Sequence, residues 1–313
     1  MEANILSKNI DMIANLALPF DQALAFEKRV SSSDLPYNVN YKTGLIYEHI
    51  EMQQNNPILK DMRVRKALIH GINRQELVNT IYSGKLSVAH CDLSPIDPWF
   101  TDDPSKIVIY EFDREKSKEL LEQAGFKMNK TDGYYYKKGK KLSLQIMTTA
   151  NNKTRELVES YLQEQWKKIG IEVTIKNEPA RVFFGETVRK GKFPALAMFA
   201  WISLPYSNPR SMFHISQIPS EANSFSGQNC SRWVNKTITS LIDEMDTTFV
   251  ESKRIEIRHK MLYEYTNDLP IIPLYYRTDI SVTPKNLTGY KLTGTLFSAT
   301  GHVELWKLEE TKG

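Results

Sequence analysis

The sequence predicts an α/β layer fold. Two observations carry this. Past residue 60 the pattern runs helices, strand, helix, strand, helix, strand, loop, helices, strand, and strands alternating with helices are the signature of that class. Within it, Leu142, Leu144 and Ile146, then Ile171, Val173 and Ile175, alternate around a helix-period segment at 154–169, which reads as strand, helix, strand. The chain has 313 residues and 41% apolar side chains, enough for a large core and for two domains. No internal repeat, heptad or low-complexity stretch interrupts it.

Residues 1–60 read as short, broken elements, with Tyr37 to Tyr47 an extended stretch. Gln53-Gln54-Asn55-Asn56-Pro57 is a polar loop whose proline biases its predecessor away from helix. Met62 to Ile69 is helical in composition. Asn73 to Ser83 is a second helix, with Asn73 as its cap, Glu76 in the answering position and Gly84 at its stop. Asp113 caps a helix over Arg114 to Ala124, ended by Gly125. Lys137-Lys138-Gly139-Lys140-Lys141 reads as a solvated hairpin rather than a basic patch. The strand at 141–148 and the strand of Ile171 to Ile175 flank the clearest helix, whose Leu157, Val158, Tyr161, Leu162, Trp166 and Ile169 share one face. Pro179 opens a helix to about Lys190. Ala195 to Trp201 is a nearly continuous apolar run, as in a strand buried on both faces. Residues 202–234 are irregular and rich in Ser, Asn, Pro and aromatics. Helices follow from Ile238 and over Glu251 to Thr266, then an apolar strand from Ile271 to Tyr276, then short strands past Pro284.

Composition excludes several function classes. Lys+Arg 41 against Asp+Glu 37 gives a net charge of +4, too small an excess to argue for nucleic acid. No apolar run approaches the ~20 residues that a membrane helix needs. Two cysteines, Cys91 and Cys230, exclude a disulfide-built scaffold and a multi-cysteine metal site; whether they pair with each other is left open. No phosphate loop, dinucleotide fingerprint, nucleophile elbow or zinc-protease helix is present. The histidines are scattered, and His90-Cys91-Asp92 is read as an ordinary loop rather than a metal site. No cofactor is expected. Asn129, Asn152, Asn229, Asn235 and Asn286 each open an Asn-X-Ser/Thr triplet, read as chance in an Asn-rich chain. Met1-Glu2-Ala3-Asn4 enters a folded pattern with no basic or apolar leader, so the sequence reads either as cytoplasmic or as a piece whose export signal lies upstream.

The candidate site is the region 201–234. It gathers Trp201, Tyr206, Phe213, Phe225 and Trp233 with His214, Gln217, Asn223, Gln228 and Asn229. Aromatic walls with a few hydrogen-bonding groups suit a small-ligand site; the alternative is that the aromatics cover the core.

Several segments together resemble one family. Pro57 to Leu68, with Asp61, Val64-Arg65 and Ala67, resembles the start of a lobe in the oligopeptide, dipeptide and nickel solute-binding proteins of ABC importers, solute-binding family 5. Gly71-Ile72-Asn73-Arg74 with Gly84, the helix Asp113 to Ala124-Gly125-Phe126, the helix Gln163 to Ile171, and Arg254 to Tyr263 followed by Asp268-Leu269-Pro270-Ile271-Ile272-Pro273-Leu274-Tyr275-Tyr276 are similar to further motifs of that family, in the same order.

The resemblance implies the C-terminal lobe of a class II periplasmic-binding-protein-like fold, a mixed sheet flanked by helices. Residues 1–50 would be a remnant of the first lobe and its crossing, 51–277 the ligand-binding lobe, and 278–313 the closing segment of the first lobe. It implies a non-catalytic, monomeric receptor, periplasmic or anchored outside the membrane, that holds a small peptide or other small solute between two lobes and delivers it to ABC permease subunits. A lone lobe would bind poorly. Arg189 matches a stretch with a ligand-facing arginine, Trp201 the tryptophan ending the buried strand, and Asn229 with Trp233 a loop near the ligand; Tyr206 and His214 complete the candidate set. Two positions depart from the pattern: no Asp follows Trp201 in Ile202-Ser203-Leu204-Pro205-Tyr206, and the usual asparagine before the crossing is replaced around Met52-Gln53. The alternative implied by reuse of this fold is the ligand-sensing domain of a cytoplasmic transcriptional regulator.

Overall fold

A computed structural model of the chain describes residues 1–14, 17–295 and 299–310. Two compact units emerge, one of Met1–Ile46 with Tyr276–Gly313 and one of Tyr47–Tyr275.

The first unit begins with α1 (Glu2–Leu6) and α2 (Phe20–Ser32). Ala23, Phe26 and Val30 of α2 are buried, spaced to fall on one helical face, and they pack with Ile5, Ile13, Tyr37, Ile280 and Val282. This helix was not visible among the broken elements read at 1–36. It follows Pro19 with no side-chain cap, so the usual start signal is missing. Strand β1 (Tyr37–Met52) then carries the chain into the second unit.

There α3 (Met62–His70) starts at Asp61, a cap not singled out from sequence, and α4 (Arg74–Tyr82) at the expected cap Asn73. Asp61 accepts from the Arg63 amide at 3.1 Å and Asn73 from the Glu76 amide at 2.9 Å. Glu76 does not answer its cap; its carboxylate instead receives the Tyr161 hydroxyl. After β2 (Ser87–Val88) comes α5 (Arg114–Gln123), where Asp113 accepts from the Lys116 amide at 2.8 Å. A small meander follows: β3 (Lys127–Met128), β4 (Tyr135–Lys137) and β5 (Lys140–Lys141). Its lysine-rich turn holds Lys138 and Gly139 at positive φ, so the run is a hairpin.

The unit's centre is β6 (Ser143–Met147), α6 (Lys153–Lys168) and β7 (Glu172–Ile175). The two strands pair in parallel, Leu144 opposite Val173 and Ile146 opposite Ile175. Trp166 of α6 is fully buried and donates its indole N–H to the Leu68 carbonyl at 2.9 Å. In place of one helix from Pro179 to Lys190, a short α7 (Ala180–Val182) widens into a π-helical turn over Phe183–Val188. Then β8 (Leu196–Ile202) pairs in parallel with β6. After α8 (Arg210–Phe213) come α9 (Lys236–Thr247) and α10 (Glu251–Asp268), whose Ile238, Ile242, Met261 and Tyr265 form a core cluster. β9 (Ile271–Pro284) returns to the first unit, which ends with β10 (Leu287–Thr288) antiparallel to β11 (Lys307–Leu308). The principal sheet has six strands in the order β2-β9-β1-β8-β6-β7, the mixed α/β arrangement expected.

Candidate ligand-binding face

Strand β8 leaves the sheet at Trp201 and Ile202, and α/β sheets take ligands outside the carboxyl ends of their strands. Phe199 and Trp201 are two residues apart, so they share one face of β8. Their rings meet edge-on, with centroids 6.3 Å apart, and Phe184 of the π-helical turn packs edge-on against Phe199 at 5.8 Å. Below them Met147, Phe183, Val188, Phe193 and Ala197 form an apolar floor. A single π turn is a local widening, often found at functional sites; here it places Phe184 at the surface and Phe183 in the core.

Two cavities open on this face. The larger, about 540 Å³, is lined by Phe184, Arg189, Phe199, Trp201, Gln217 and Gln228 among others. The smaller, about 320 Å³, is lined by Asp92, Trp201, Ser203, Asn208, Ser211 and Gln228 among others. Trp201, Ser211 and Gln228 belong to both. Both volumes lie at the scale of small-molecule sites. The larger presents aromatic faces, neutral amides and one guanidinium, held by a hydrogen bond from Arg189 Nε to the Phe225 carbonyl at 2.6 Å.

The irregular segment that shapes these cavities is held by specific bonds. Gly227 has φ +87°, and a Cβ there would stand 2.2 Å from the Gln217 carbonyl oxygen, so glycine is required on both counts. Asn229 accepts from the Trp233 amide at 2.9 Å through its side-chain oxygen and donates to the Trp233 carbonyl at 2.8 Å. Arg232 donates to the Pro219 carbonyl at 2.7 Å. Arg210 pairs with both Asp243 and Asp246 of α9, and its guanidinium holds the Asp243 carboxyl below the usual range.

Of the residues singled out from sequence, the structure brings Arg189 and Trp201 together at the larger cavity. The other four sit elsewhere. Asn229 is fully buried and its hydrogen bonds close the loop. Trp233 lies in the core beside Phe213 and Tyr265. His214 is buried, its Nδ1 against Ser216 at 2.7 Å and its Nε2 3.4 Å from Asp243. Tyr206 stacks edge-on against Trp99 at 5.5 Å. Gln228, already gathered in the candidate region, lines both cavities, whereas Phe184, Phe199 and Asp92 line them without having been singled out as candidates. Gln228 is the amide next to Asn229, and β8 alternation from Trp201 would have found Phe199.

Cys91 and Cys230 are not joined in a disulfide. Cys230 lines the larger cavity, and burial pushes its thiol pKa well up, the opposite of what a nucleophile needs. Among the described residues, no group of three or more His, Cys, Asp or Glu is placed to hold a metal ion.

Comparison with known proteins places this geometry. Residues 1–224 match the family model described as bacterial extracellular solute-binding proteins, family 5, middle. The oligopeptide-binding protein AppA of Bacillus subtilis is 30% identical over 256 residues, covering 79% of this chain and 44% of that protein. The oligopeptide-binding protein of Thermus thermophilus, solved with a pentapeptide, superposes with a TM-score of 0.78 at 26% identity, over 92% of this chain and 50% of that one. NikZ of Campylobacter jejuni, solved with Ni(L-His), has the same fold, with a TM-score of 0.76 at 23% identity over 98% of this chain and 59% of that one. The chain spans less than half the length of the Bacillus relative.

Proposed function

The chain belongs to the bacterial extracellular solute-binding proteins of family 5, and from that premise we propose that it serves as a receptor for a peptide-like solute, acting outside the cytoplasmic membrane and delivering its ligand to an ABC importer. The observation that carries this is the pair of cavities sharing Trp201. Their lining is aromatic and amide-rich, with Arg189 at one end, which suits a small solute with polar ends. The face supports binding rather than reaction. The one thiol on it is held protonated by burial, and His214, the nearest histidine in sequence to the shared residues Ser211 and Gln228, is used as a loop cap.

The mechanism follows from family membership. The ligand lies on this wall, a second wall closes over it and expels water, and the closed form docks on the permease. Peptide-binding names among the relatives favour a peptide over a metal chelate, and favour the receptor over a transcriptional regulator. No helix among the described residues is long and apolar enough to cross a membrane.

The test is native mass spectrometry of the full-length protein with a random pentapeptide pool. Retention of pentapeptides is expected. Arg189→Gln and Trp201→Leu should each reduce retention about tenfold or more, the scale of losing one good hydrogen bond or aromatic contact, with the melting temperature of the unliganded protein little changed. Failure of the unmutated protein to retain any pentapeptide would overturn the peptide reading. Undiminished retention by both variants would move the binding face elsewhere.

A further inference from the structure

The meander β3-β4-β5 concentrates positive charge. Between Lys127 and Lys141 the chain has six lysines, no arginine and one acidic residue, Asp132. Two of the lysines are engaged. Lys141 lies 3.5 Å from Asp132 and 3.3 Å from Glu172, and Lys137 donates to the Ala124 carbonyl at 2.6 Å. The other four, Lys127, Lys130, Lys138 and Lys140, are exposed, and none is in an ion pair among the described residues. The nearby carboxylates Asp132 and Glu172 are already held by Lys141, so the four charges stand uncancelled.

The meander holds these charges on a fixed platform. Lys127 pairs with Tyr136, and Tyr136 with Lys141, so the three side chains stand in one row on one face. The Lys141 ammonium lies 4.4 Å from the centre of the Tyr134 ring, and both Tyr134 and Tyr136 are half-buried. At the edge, Met128 is 37% exposed. Tyrosine and methionine beside lysine give a surface with apolar bodies and polar or charged tips, the chemistry of a membrane interface.

The platform lies away from the ligand face. Lys141 leads into the amino end of β6, and β6 runs parallel to β8. The cavities beside Trp201 are at the carboxyl end of β8, so the length of the strands separates the two places.

The residue type selects among anionic partners. A rigid protein partner would have to freeze each long lysine side chain, and lysine is depleted from protein interfaces. Bidentate recognition of a phosphate in fixed geometry would use arginine. A fluid layer of anionic headgroups needs neither. A lysine close to such a surface contributes a factor of about five in affinity.

We propose that the exposed face of this meander docks on an anionic lipid bilayer, through Lys127, Lys130, Lys138 and Lys140. This goes beyond the receptor reading, which puts the chain beside a membrane, and it makes no use of the ligand face.

The test is co-sedimentation of the full-length protein, prepared without lipid modification, with vesicles of phosphatidylcholine alone or mixed with phosphatidylglycerol. Binding to the mixed vesicles at about 0.1 M salt, lost near 1 M where screening is complete within ~3 Å, is expected. Binding to phosphatidylcholine alone should be at least tenfold weaker. The fourfold variant Lys127→Gln, Lys130→Gln, Lys138→Gln, Lys140→Gln should bind the mixed vesicles at least tenfold more weakly. A control with the same loss of charge carries Lys28→Gln, Lys42→Gln, Lys236→Gln and Lys253→Gln, all exposed elsewhere, and should bind nearly as the unmutated protein does. Absence of binding to the mixed vesicles, equal binding to both lipids, or an equal loss in the two variants overturns the proposal. Retention on heparin without vesicle binding assigns the platform to a soluble polyanion and overturns it too. Pentapeptide retention by the first variant should be unchanged, so this proposal and the receptor reading fail separately.

Discussion

The indole N–H of Trp233 donates to Oδ2 of Asp268 at 2.5 Å. The other oxygen of that carboxylate pairs with Arg65, which also donates to the backbone carbonyl of Asp268 and to that of Leu59. Asp268 closes α10 and Arg65 lies in α3, so Trp233 ties the end of the irregular segment to a junction between helices. Its ring completes an aromatic group with Phe213 and Tyr265.

Trp233→Phe keeps most of the ring and removes the donor. A hydrogen bond to a charged group contributes roughly 1.5–3 kcal/mol, and the smaller ring adds some lost packing. Urea unfolding should show a loss of about 2–3 kcal/mol. The folded variant should still retain the pentapeptide pool, since Trp233 lines neither cavity.

Asn229→Ala gives a related result by another route. The substitution leaves the Trp233 amide without its acceptor and the Trp233 carbonyl without its donor, in a fully buried setting. Unpaired buried groups cost about 1–3 kcal/mol each. The melting temperature should fall by several degrees. Any change in ligand retention should follow the fraction folded, which circular dichroism on the same samples would show.

What the sequence made legible was local chemistry. Asn73 and Asp113 were readable as caps because a cap is made within three residues of itself; Asp61 does the same job for α3 and was not singled out for it. Even so, two asparagines read as chance triplets have that same job: Asn152 caps α6 and Asn235 caps α9. Helix α2 was lost because nothing caps it, and β9 was cut short at Tyr276 because Arg277, Thr278 and Asp279 break the apolar run that continues in the structure to Pro284. At the site, Trp201 could be found from the end of an apolar strand. The choice between Gln228 and Asn229 could not, since it turns on what Asn229 bonds to inside the loop. Asp92 depends on Arg258, 166 residues further along the chain, and no local pattern announces such a pair.

Glu159 makes stability depend on pH above the acid range. It lies on α6, fully buried, with one oxygen accepting from Asn177 at 2.7 Å and the other unpartnered. Desolvation pushes its carboxyl pKa up to about 7 against an unfolded value near 4.5. Between those values the unfolded chain has lost the proton that the fold keeps, so stability is present below pH 4.5 and is lost as pH rises through 7. Glu159→Gln removes the titration. Urea unfolding at pH 5 and at pH 8.5 should show the variant more stable than the parent at the higher pH, by about 1–3 kcal/mol, and little different at the lower. A parallel fall of both proteins would assign the pH dependence to another group.

His90 acts in the opposite direction. Burial is the main cause, and the neighbouring Arg74 guanidinium the second, of a pKa lowered to about 4 from an ordinary 6.5. The fold therefore keeps this imidazole neutral at a pH where the unfolded chain protonates it. Between pH 6.5 and 4 the unfolded state binds more protons, so stability falls as the pH falls through that window. Proton NMR should show one histidine of the folded protein still neutral at pH 5, and His90→Gln should remove its signal. The same variant should lose less stability than the parent between pH 7 and pH 5. A His90 signal that titrates near 6.5 would mean that water reaches the ring and that Arg74, whose guanidinium donates to the carbonyls of Ala89, Pro273 and Tyr110, does not press on it.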